Sequence, residues 1–264
     1  MELTLSLLTQ CEDLARAAGG LILSFYQQRG EVILKADASP LTAADTASHE
    51  FLTARLPALL PGVPVVSEES AGAADSALPD DAPFWLVDPL DGTKEFVKGT
   101  NEFTVNIALV CAGRVELGVV YAPALGLGYS ALRGGGAFRR QGDEPRTPIH
   151  TRAMNLARPA VVASRDHAGP LVATLLARLP GAELASMGSS LKFCLVAEGR
   201  ADLYLRDLPT MEWDTAAAQG VVEAAGGGLF DLSGAPLRYG KPGRRNGSIM
   251  TVGDLSFPWR NYVN

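Results

Sequence analysis

The stretch Trp85-Leu-Val-Asp-Pro-Leu-Asp-Gly-Thr-Lys-Glu-Phe96 decides how this chain is interpreted. Phe84 to Val87 is an apolar run that predicts a buried strand. A proline and a glycine follow the strand, so Asp88 and Asp91 are expected to face one small volume where it ends. Two such charges repel each other unless a cation lies between them. Carboxylate oxygens suit Mg²⁺, which takes one or two of them and leaves its other positions to water and phosphate.

Acids also stand at two other predicted element ends. Val63 to Ser70 contains a short apolar strand that ends in Glu68 and Glu69. Asp214 opens an alanine-rich helix. An Asp-Pro or Asp-Gly pair alone usually marks only a turn. Three acidic ends together favour a multi-metal phosphate site, in which one ion binds the attacking water and another binds the leaving oxygen.

The composition narrows the class of protein. The chain has 264 residues, 47% of them hydrophobic, and a net charge of −6, which argues against a general nucleic-acid or anionic-membrane binder. Three widely spaced cysteines without a CxxC pair indicate no disulfide framework and favour the reducing cytoplasm. No signal peptide or integral membrane segment is expected. A peripheral position on the cytoplasmic face of the inner membrane is left open, as is the choice between monomer and homodimer.

The order of predicted elements indicates an α/β protein. Leu3 to Gln27 carries an apolar stripe with helical spacing, and Thr42 with Asp45 forms a capping box at the start of a second helix. Strands dominate from Phe103 to Arg140, whereas strands and helices alternate after Arg158. We therefore expect an α+β N-terminal half and an α/β C-terminal half. A polar segment separates them and predicts domains 1–148 and 149–264.

Three motifs carry a family resemblance. Glu68-Glu-Ser70, Asp88-Pro-Leu-Asp-Gly-Thr93 and Trp213-Asp-Thr-Ala-Ala217 resemble the signatures of the inositol monophosphatase superfamily, which comprises Mg²⁺-dependent, lithium-sensitive phosphatases. The segments 35–45, 94–96, 102–108 and 188–199 are similar to the 3'(2'),5'-bisphosphate nucleotidase branch, the CysQ type. The resemblance runs from about Lys35 to about Gly227. It implies a layered αβαβα sandwich.

The resemblance also implies roles for individual residues. Two or three Mg²⁺ ions would be held by Glu68, Asp88, the backbone carbonyl of Leu90, Asp91 and Asp214. Thr93, hydrogen-bonded to Asp45, would orient or deprotonate the attacking water. This agrees with the physics, because a threonine hydroxyl is a poor base unless a carboxylate lies behind it.

The implied substrate is adenosine 3',5'-bisphosphate, hydrolysed to AMP and phosphate, with a role in sulfur metabolism. A helix beginning near Ser189 can hold an anion at its N-terminus, and Lys192 and Arg206 are candidate contacts for a second phosphate. His167 resembles a position close to the nucleotide. The predicted substrate contacts are Glu68, Leu90, Asp91, Gly92, Thr93, His167, Gly188, Ser189, Ser190, Lys192, Arg206 and Asp214.

Several other functions stay open at this point. An inositol monophosphatase or a fructose-1,6-bisphosphatase-like sugar phosphatase would use the same metal acids. A covalent aspartyl-phosphate phosphatase has a similar acidic motif, but there a single residue separates the two acids. Here two residues separate Asp88 from Asp91. A non-catalytic nucleotide- or metal-binding module would not need the pair Asp45 and Thr93.

Overall fold

The computed structural model describes residues 3–26, 32–34, 40–70, 81–163 and 169–263. Within these ranges the α-helices are α1 (Leu5–Tyr26), α2 (Ala43–Leu59), α3 (Thr93–Lys98), α4 (Pro170–Ala177), α5 (Leu191–Ala197) and α6 (Ala216–Ala224). Four short 3₁₀ turns cover Glu68–Ser70, Pro123–Leu125, Pro242–Arg244 and Trp259–Tyr262. Among the helices of these ranges, none is long and apolar enough to cross a membrane.

The first half of the chain builds a seven-stranded sheet. A two-stranded hairpin precedes it, with strands β1 (Val32–Leu34) and β2 (Pro40–Thr42). The sheet follows chain order: β3 (Val65–Ser67), β4 (Phe84–Asp91), β5 (Thr104–Cys111), β6 (Arg114–Ala122), β7 (Leu127–Leu132), β8 (Gly136–Gln141) and β9 (Thr147–Ile149). Only β3 and β4 run parallel, and the other neighbours in this sheet are antiparallel.

The second half builds a five-stranded mixed sheet. Its strands are β10 (Ala160–Ala163), β11 (Glu183–Ser186), β12 (Leu203–Arg206), β14 (Gly228–Asp231) and β16 (Ile249–Val252), in the order β11-β10-β12-β16-β14. The first three run parallel, while β16 is antiparallel to both its neighbours. A separate pair, β13 (Thr210–Met211) and β15 (Arg245–Asn246), ties the C-terminal segment to the residues before α6.

Side-chain alternation along the strands produces the layers. In β5, Val105 and Ile107 face a core shared with α1 and α2, whereas Ala108 and Val110 face a core shared with α5 and α6. A third core lies between the five-stranded sheet, α4 and the C-terminal residues. The order helix, sheet, helix, sheet, helix confirms the predicted αβαβα sandwich.

Close packing places α6 in the middle layer. A Cβ atom at Gly118 of β6 would lie 2.2 Å from the carbonyl oxygen of Ala217, so only glycine allows the helix to approach this closely. Trp213, just before the helix, is buried in the same core. Asp214 follows it and is therefore held at the helix entrance between the two sheets.

One predicted boundary was wrong. The sequence suggested that the strand ends at Val87, but β4 continues to Asp91 through a register shift between Asp88 and Asp91. The reason is pairing with β5, which holds the segment in the sheet on both sides of Pro89. The proposed boundary after residue 148 falls within β9, and the two-domain division stays a prediction.

Candidate active site

The acidic ends of β3 and β4 lie side by side. These two strands are parallel, with Ser67 opposite Val87, so Glu68, directly after β3, lies next to Asp88 of β4. Asp214 approaches from the entrance of α6. We use the name acid site for Glu68, Asp88, Asp91 and Asp214.

A β-bulge turns Asp88 and Asp91 toward the same face. Residues three positions apart on a regular strand point to opposite faces. Here Asp88 pairs with Asn106 and Asp91 pairs with Thr104, so three steps along β4 match two steps along β5. This extra residue defines the bulge. Because Thr104 and Asn106 share one face of β5, their aspartate partners share it too.

Asp91 is held in place by several hydrogen bonds. Its Oδ2 accepts hydrogen bonds from the Ser189 hydroxyl (2.5 Å), the Ser190 N–H (2.7 Å) and the Ser190 hydroxyl (2.8 Å). The Thr104 hydroxyl and the Asn106 amide add contacts of 3.4 Å each. Within the part of the chain that the structure describes, these hydrogen bonds all use Oδ2. Oδ1 is therefore the oxygen that a ligand can use.

Thr93 and Asp45 form the expected pair. The Thr93 hydroxyl lies 3.2 Å from Asp45 Oδ1 and 3.3 Å from the Leu90 carbonyl oxygen, and its single proton serves one of these acceptors at a time. The second oxygen of Asp45 accepts the N–H and the hydroxyl of Thr42, at 2.7 and 2.6 Å. Asp45 therefore caps α2 with one oxygen and contacts Thr93 with the other.

Burial and mutual repulsion both raise the pKa values of acids in the acid site, and burial has the larger effect. Asp88 is 1% exposed, and burial, followed by the charges of Glu68, Asp91, Asp214 and Asp45, raises its pKa well above the usual range. Burial and the neighbouring Asp91 raise the pKa of Asp214 to about 8, against the opposing effects of the Met211 N–H and Arg206. A nearby divalent cation would reverse both shifts.

The donor set fits Mg²⁺ by its chemistry. Hard carboxylate oxygens dominate it, and Asp88 is nearly inaccessible to water, so a bound cation would relieve a real electrostatic cost. In the described ranges, no three acidic, histidine or cysteine side chains already stand close enough to form a metal cage. Binding would therefore require some carboxylates to turn toward a shared ion, and the metal roles of these residues stay a prediction.

A cleft of about 550 Å³ opens beside the acid site. The residues predicted from sequence that line it are Asp91, Gly92, Ser189, Ser190, Lys192, Arg206 and Asp214. The Lys192 ammonium donates to the Ser189 carbonyl at 2.6 Å. Burial, with a smaller effect of Arg206, lowers the pKa of Lys192 to about 8. The cleft is thus lined by acids and by two cationic side chains.

The predicted anion site at the start of α5 is occupied by the chain's own groups. The Ser190 N–H donates to Asp91, and the Gly188 N–H donates to Glu102 Oε2 at 2.8 Å. A Cβ at Gly188 would lie 2.8 Å from Glu102 and from Glu95, so this glycine serves close packing. The hydroxyls of Ser189 and Ser190 bond Asp91 as well.

The sequence analysis missed two residues that contact Asp91, and two of the features that it singled out lie outside the described residues. Thr104 and Asn106, fully buried polar residues at alternate positions of an otherwise apolar strand, contact Asp91. That alternation was the available sequence signal. His167 and the segment 35–39 of the Lys35–Asp45 motif lie outside the described residues.

The sequence and the fold of this chain match those of known proteins. The sequence model of the inositol monophosphatase family matches residues 5–252. The 3'(2'),5'-bisphosphate nucleotidase CysQ of Escherichia coli (strain K12) is 46% identical over 88% of this chain and 94% of its own length. The crystal structure of CysQ from Bacteroides thetaiotaomicron superposes with a TM-score of 0.75 at 38% identity, over 91% of this chain and 94% of that one. An inositol monophosphatase (IMPase) from Thermotoga maritima superposes with a TM-score of 0.77 at 25% identity, over 94% and 92%.

Proposed function

Because the chain belongs to the inositol monophosphatase family, we propose that it is a Mg²⁺-dependent phosphatase that hydrolyses adenosine 3',5'-bisphosphate to AMP and phosphate. The observation that carries this proposal is the meeting of mutually repelling acids, a threonine–carboxylate pair and a partly cationic cleft at one sheet edge. The similar nucleotidases named above support the choice of a bisphosphorylated nucleotide.

Water activation is assigned to Thr93 and Asp45. As the water attacks phosphorus, its proton passes to the Thr93 oxygen while the Thr93 hydroxyl proton passes to Asp45. The phosphorus–ester oxygen bond breaks, and the departing oxygen takes a proton from solvent water to give the free hydroxyl. Asp45 then returns its proton to solvent, so the protons balance. The N–H groups of Gly92 and Thr93 are proposed to bind phosphate oxygens, since the φ of +88° at Gly92 lets the backbone approach closely.

The acid site is proposed to hold the metal. Two or three Mg²⁺ ions, when bound by Glu68, Asp88, Asp91, Asp214 and the Leu90 carbonyl, would lower the pKa of a bound water and neutralise phosphate charge. The chain's own contribution is the alignment of the acids: the bulge aims Asp88 and Asp91 at one face, and the Ser190 contacts keep Asp91 in place.

Lys192 and Arg206 are proposed to hold the phosphate that is not cleaved. Both line the same cleft as Asp91 and Asp214, so one phosphate can lie at the acid site while a second meets the cations. An inositol monophosphate has no second phosphate and would not use this pair. His167 stays a predicted nucleotide contact.

Phosphate release from matched substrates tests the proposal. Purified enzyme with Mg²⁺ should hydrolyse adenosine 3',5'-bisphosphate with a higher kcat/KM than inositol 1-phosphate or fructose 1,6-bisphosphate, and chelation of the metal should stop the reaction. A preference for either sugar phosphate would replace the nucleotidase assignment. Tight nucleotide binding without any phosphate release would favour a non-catalytic binding module.

The stereochemistry at phosphorus separates direct attack from a covalent intermediate. A single displacement by water should invert the configuration of a phosphate made chiral with oxygen isotopes. Retention would indicate two displacements through an aspartyl-phosphate, which would make the direct mechanism wrong.

A further inference from the structure

One face of α2 contacts three segments that bear acids or the catalytic pair. Positions 45, 48 and 49 lie three and four residues apart, which is the spacing of neighbours on one helix face. Asp45 contacts Thr93 at 3.2 Å, and the two other positions contact the ends of β4 and β3. The three partners lie far from the helix positions in sequence, 48 residues away for Thr93, 41 for Pro89 and 18 for Ser67.

Ser48 holds the bulge. It is fully buried, and its hydroxyl donates to the carbonyl oxygen of Pro89 at 2.8 Å. Pro89 lies between Asp88 and Asp91, where the pairing of β4 with β5 skips, so its carbonyl is not matched by a regular ladder position. A buried carbonyl without a partner is costly. The Ser48 hydroxyl therefore stabilises the bulged conformation that brings the two aspartates to one face.

His49 holds the end of β3. Its Nδ1 shares a hydrogen bond of 2.8 Å with the hydroxyl of Ser67, a fully buried residue that directly precedes Glu68. Ser67 pairs with Val87 of β4, directly before Asp88. His49 and Ser48 therefore bind two chain segments to one helix. One segment precedes Glu68, and the other follows Asp88.

We propose that Ser48 and His49 are positioning residues, and that α2 sets the separation of Glu68 from Asp88 and thereby the divalent-metal affinity of the acid site. Neither residue is one of the proposed metal ligands, and neither is proposed to contact the attacking water. The inference rests on the proposed function, because it assumes that the acid site binds Mg²⁺. It assigns a role to two positions of α2 near Asp45 for which the sequence analysis predicted none.

Direct metal binding tests this proposal. Calorimetric titration of the substrate-free enzyme with Mg²⁺ should give a Kd that rises roughly three- to tenfold in His49→Phe, which keeps the ring but loses the hydrogen bond, and in Ser67→Ala. The double variant should be no weaker than either single variant, because both remove the same bond. His49→Asn, whose amide can replace Nδ1, should restore most of the affinity. Ser48→Ala should raise the Kd by a similar factor.

The matched control is Thr53→Ala on the same helix. Its hydroxyl bonds the His49 carbonyl at 2.7 Å, so the variant loses a helix contact without touching an acid-bearing segment, and its Kd should not change. Partial unfolding would lower the binding stoichiometry, whereas mispositioning changes the Kd at full stoichiometry. Additive effects at His49 and Ser67, or a wild-type Kd in both single variants, would overturn the inference. No Mg²⁺ binding by the wild type would overturn the proposed function itself.

Discussion

Glu212 and Asp214 lie two residues apart, yet they have opposite surroundings. Glu212 is fully buried and meets two cations: Lys241 Nζ lies 3.0 Å from Oε1 and Arg244 Nη1 lies 3.5 Å from Oε2. The N–H groups of Gly240 and Lys241 also donate to it, at 2.9 and 3.0 Å. We call Glu212, Lys241 and Arg244 the Glu212 cluster. The negative charge of Glu212 is therefore compensated by cations of the same chain.

Asp214 shares its surroundings mainly with other acids. Burial and Asp91 raise the pKa of Asp214 to about 8. Burial and the charges of four neighbouring acids also raise the pKa of Asp88. The contrast separates two uses of a buried carboxylate. An acid that meets cations from its own chain stabilises the fold, whereas acids that raise each other's pKa carry a cost that a bound cation would relieve.

Asp91→Asn should have the largest effect on activity. Asparagine can keep its oxygen toward Ser189 and Ser190, which leaves an NH₂ group where the free carboxylate oxygen was. Loss of one metal ligand should lower kcat by about 10³-fold or more while the melting temperature stays near that of the wild type. Phosphate release and a thermal melt measure the two quantities. Near-normal turnover would remove Asp91 from the proposed metal ligands.

Glu212→Gln should show the reverse pattern. It leaves Arg244, which is 6% exposed, without its charge partner, so the free energy of unfolding should fall by about 3 kcal/mol. We take the low end of the usual range because the Lys241 side chain is 35% exposed. The kcat per folded molecule should change little. Glu116→Gln, which breaks the surface pair with Arg133, is the control and should cost about 1 kcal/mol or less.

One result with Glu212→Gln would contradict this contrast between Glu212 and Asp214. If Glu212→Gln were to abolish turnover at full stability, the Glu212 cluster would belong to the reaction, and the division between the two kinds of acid would be wrong. Urea denaturation together with single-turnover kinetics would distinguish the two cases.

Thr93→Ala should lower kcat by roughly 10²-fold with a smaller change in KM, because it removes the hydroxyl between Asp45 and the water and leaves the metal acids intact. Thr93→Ser keeps that hydroxyl and should retain most of the activity. Equal losses in both variants would indicate that the methyl group, and hence packing, matters instead of the proton transfer.

Lys192→Ala should mainly raise KM for the bisphosphate, by about tenfold, since a charge-assisted contact to phosphate contributes roughly 1.5–3 kcal/mol and the cost is shared with Arg206. Lys94→Ala is the matched control, because it also removes a lysine, but one that is exposed on α3. It should leave KM unchanged. An unchanged KM in Lys192→Ala would argue against bisphosphate recognition and for a monophosphate substrate.

A pH profile gives the smallest expected effect. Because the pKa of Lys192 is lowered to about 8, its ammonium is charged below that pH and neutral above it. KM for the bisphosphate should therefore rise as the pH increases beyond about 8, by a few fold at most, since Arg206 stays charged. Lys192→Arg should give a flat profile over the same interval. A profile shared by both proteins would assign the titration to another group.

Local patterns predicted much of this architecture. Three predictions depend on residues close in sequence, and each is confirmed: the apolar stripe of α1, the capping box at Thr42 and Asp45, and the run of strands after Phe103. The extension of β4 to Asp91 was missed because it depends on pairing with β5. The short strands β11, β13 and β15 were missed as well, since their two to four residues carry too little periodicity to stand out.

The amino-acid sequence by itself determined which side chains carry acid, where the apolar faces lie and to which family the chain belongs. Only the tertiary structure decided that a bulge turns Asp88 and Asp91 to one face, and that Asp45 serves both a helix cap and Thr93. It also decided that Glu212 lies beside two cationic residues about thirty positions later in the sequence, whereas Asp214 lies near another acid, Asp91. The physical reason is that capping and periodicity act over a few residues, whereas burial and charge balance depend on segments that meet only after folding.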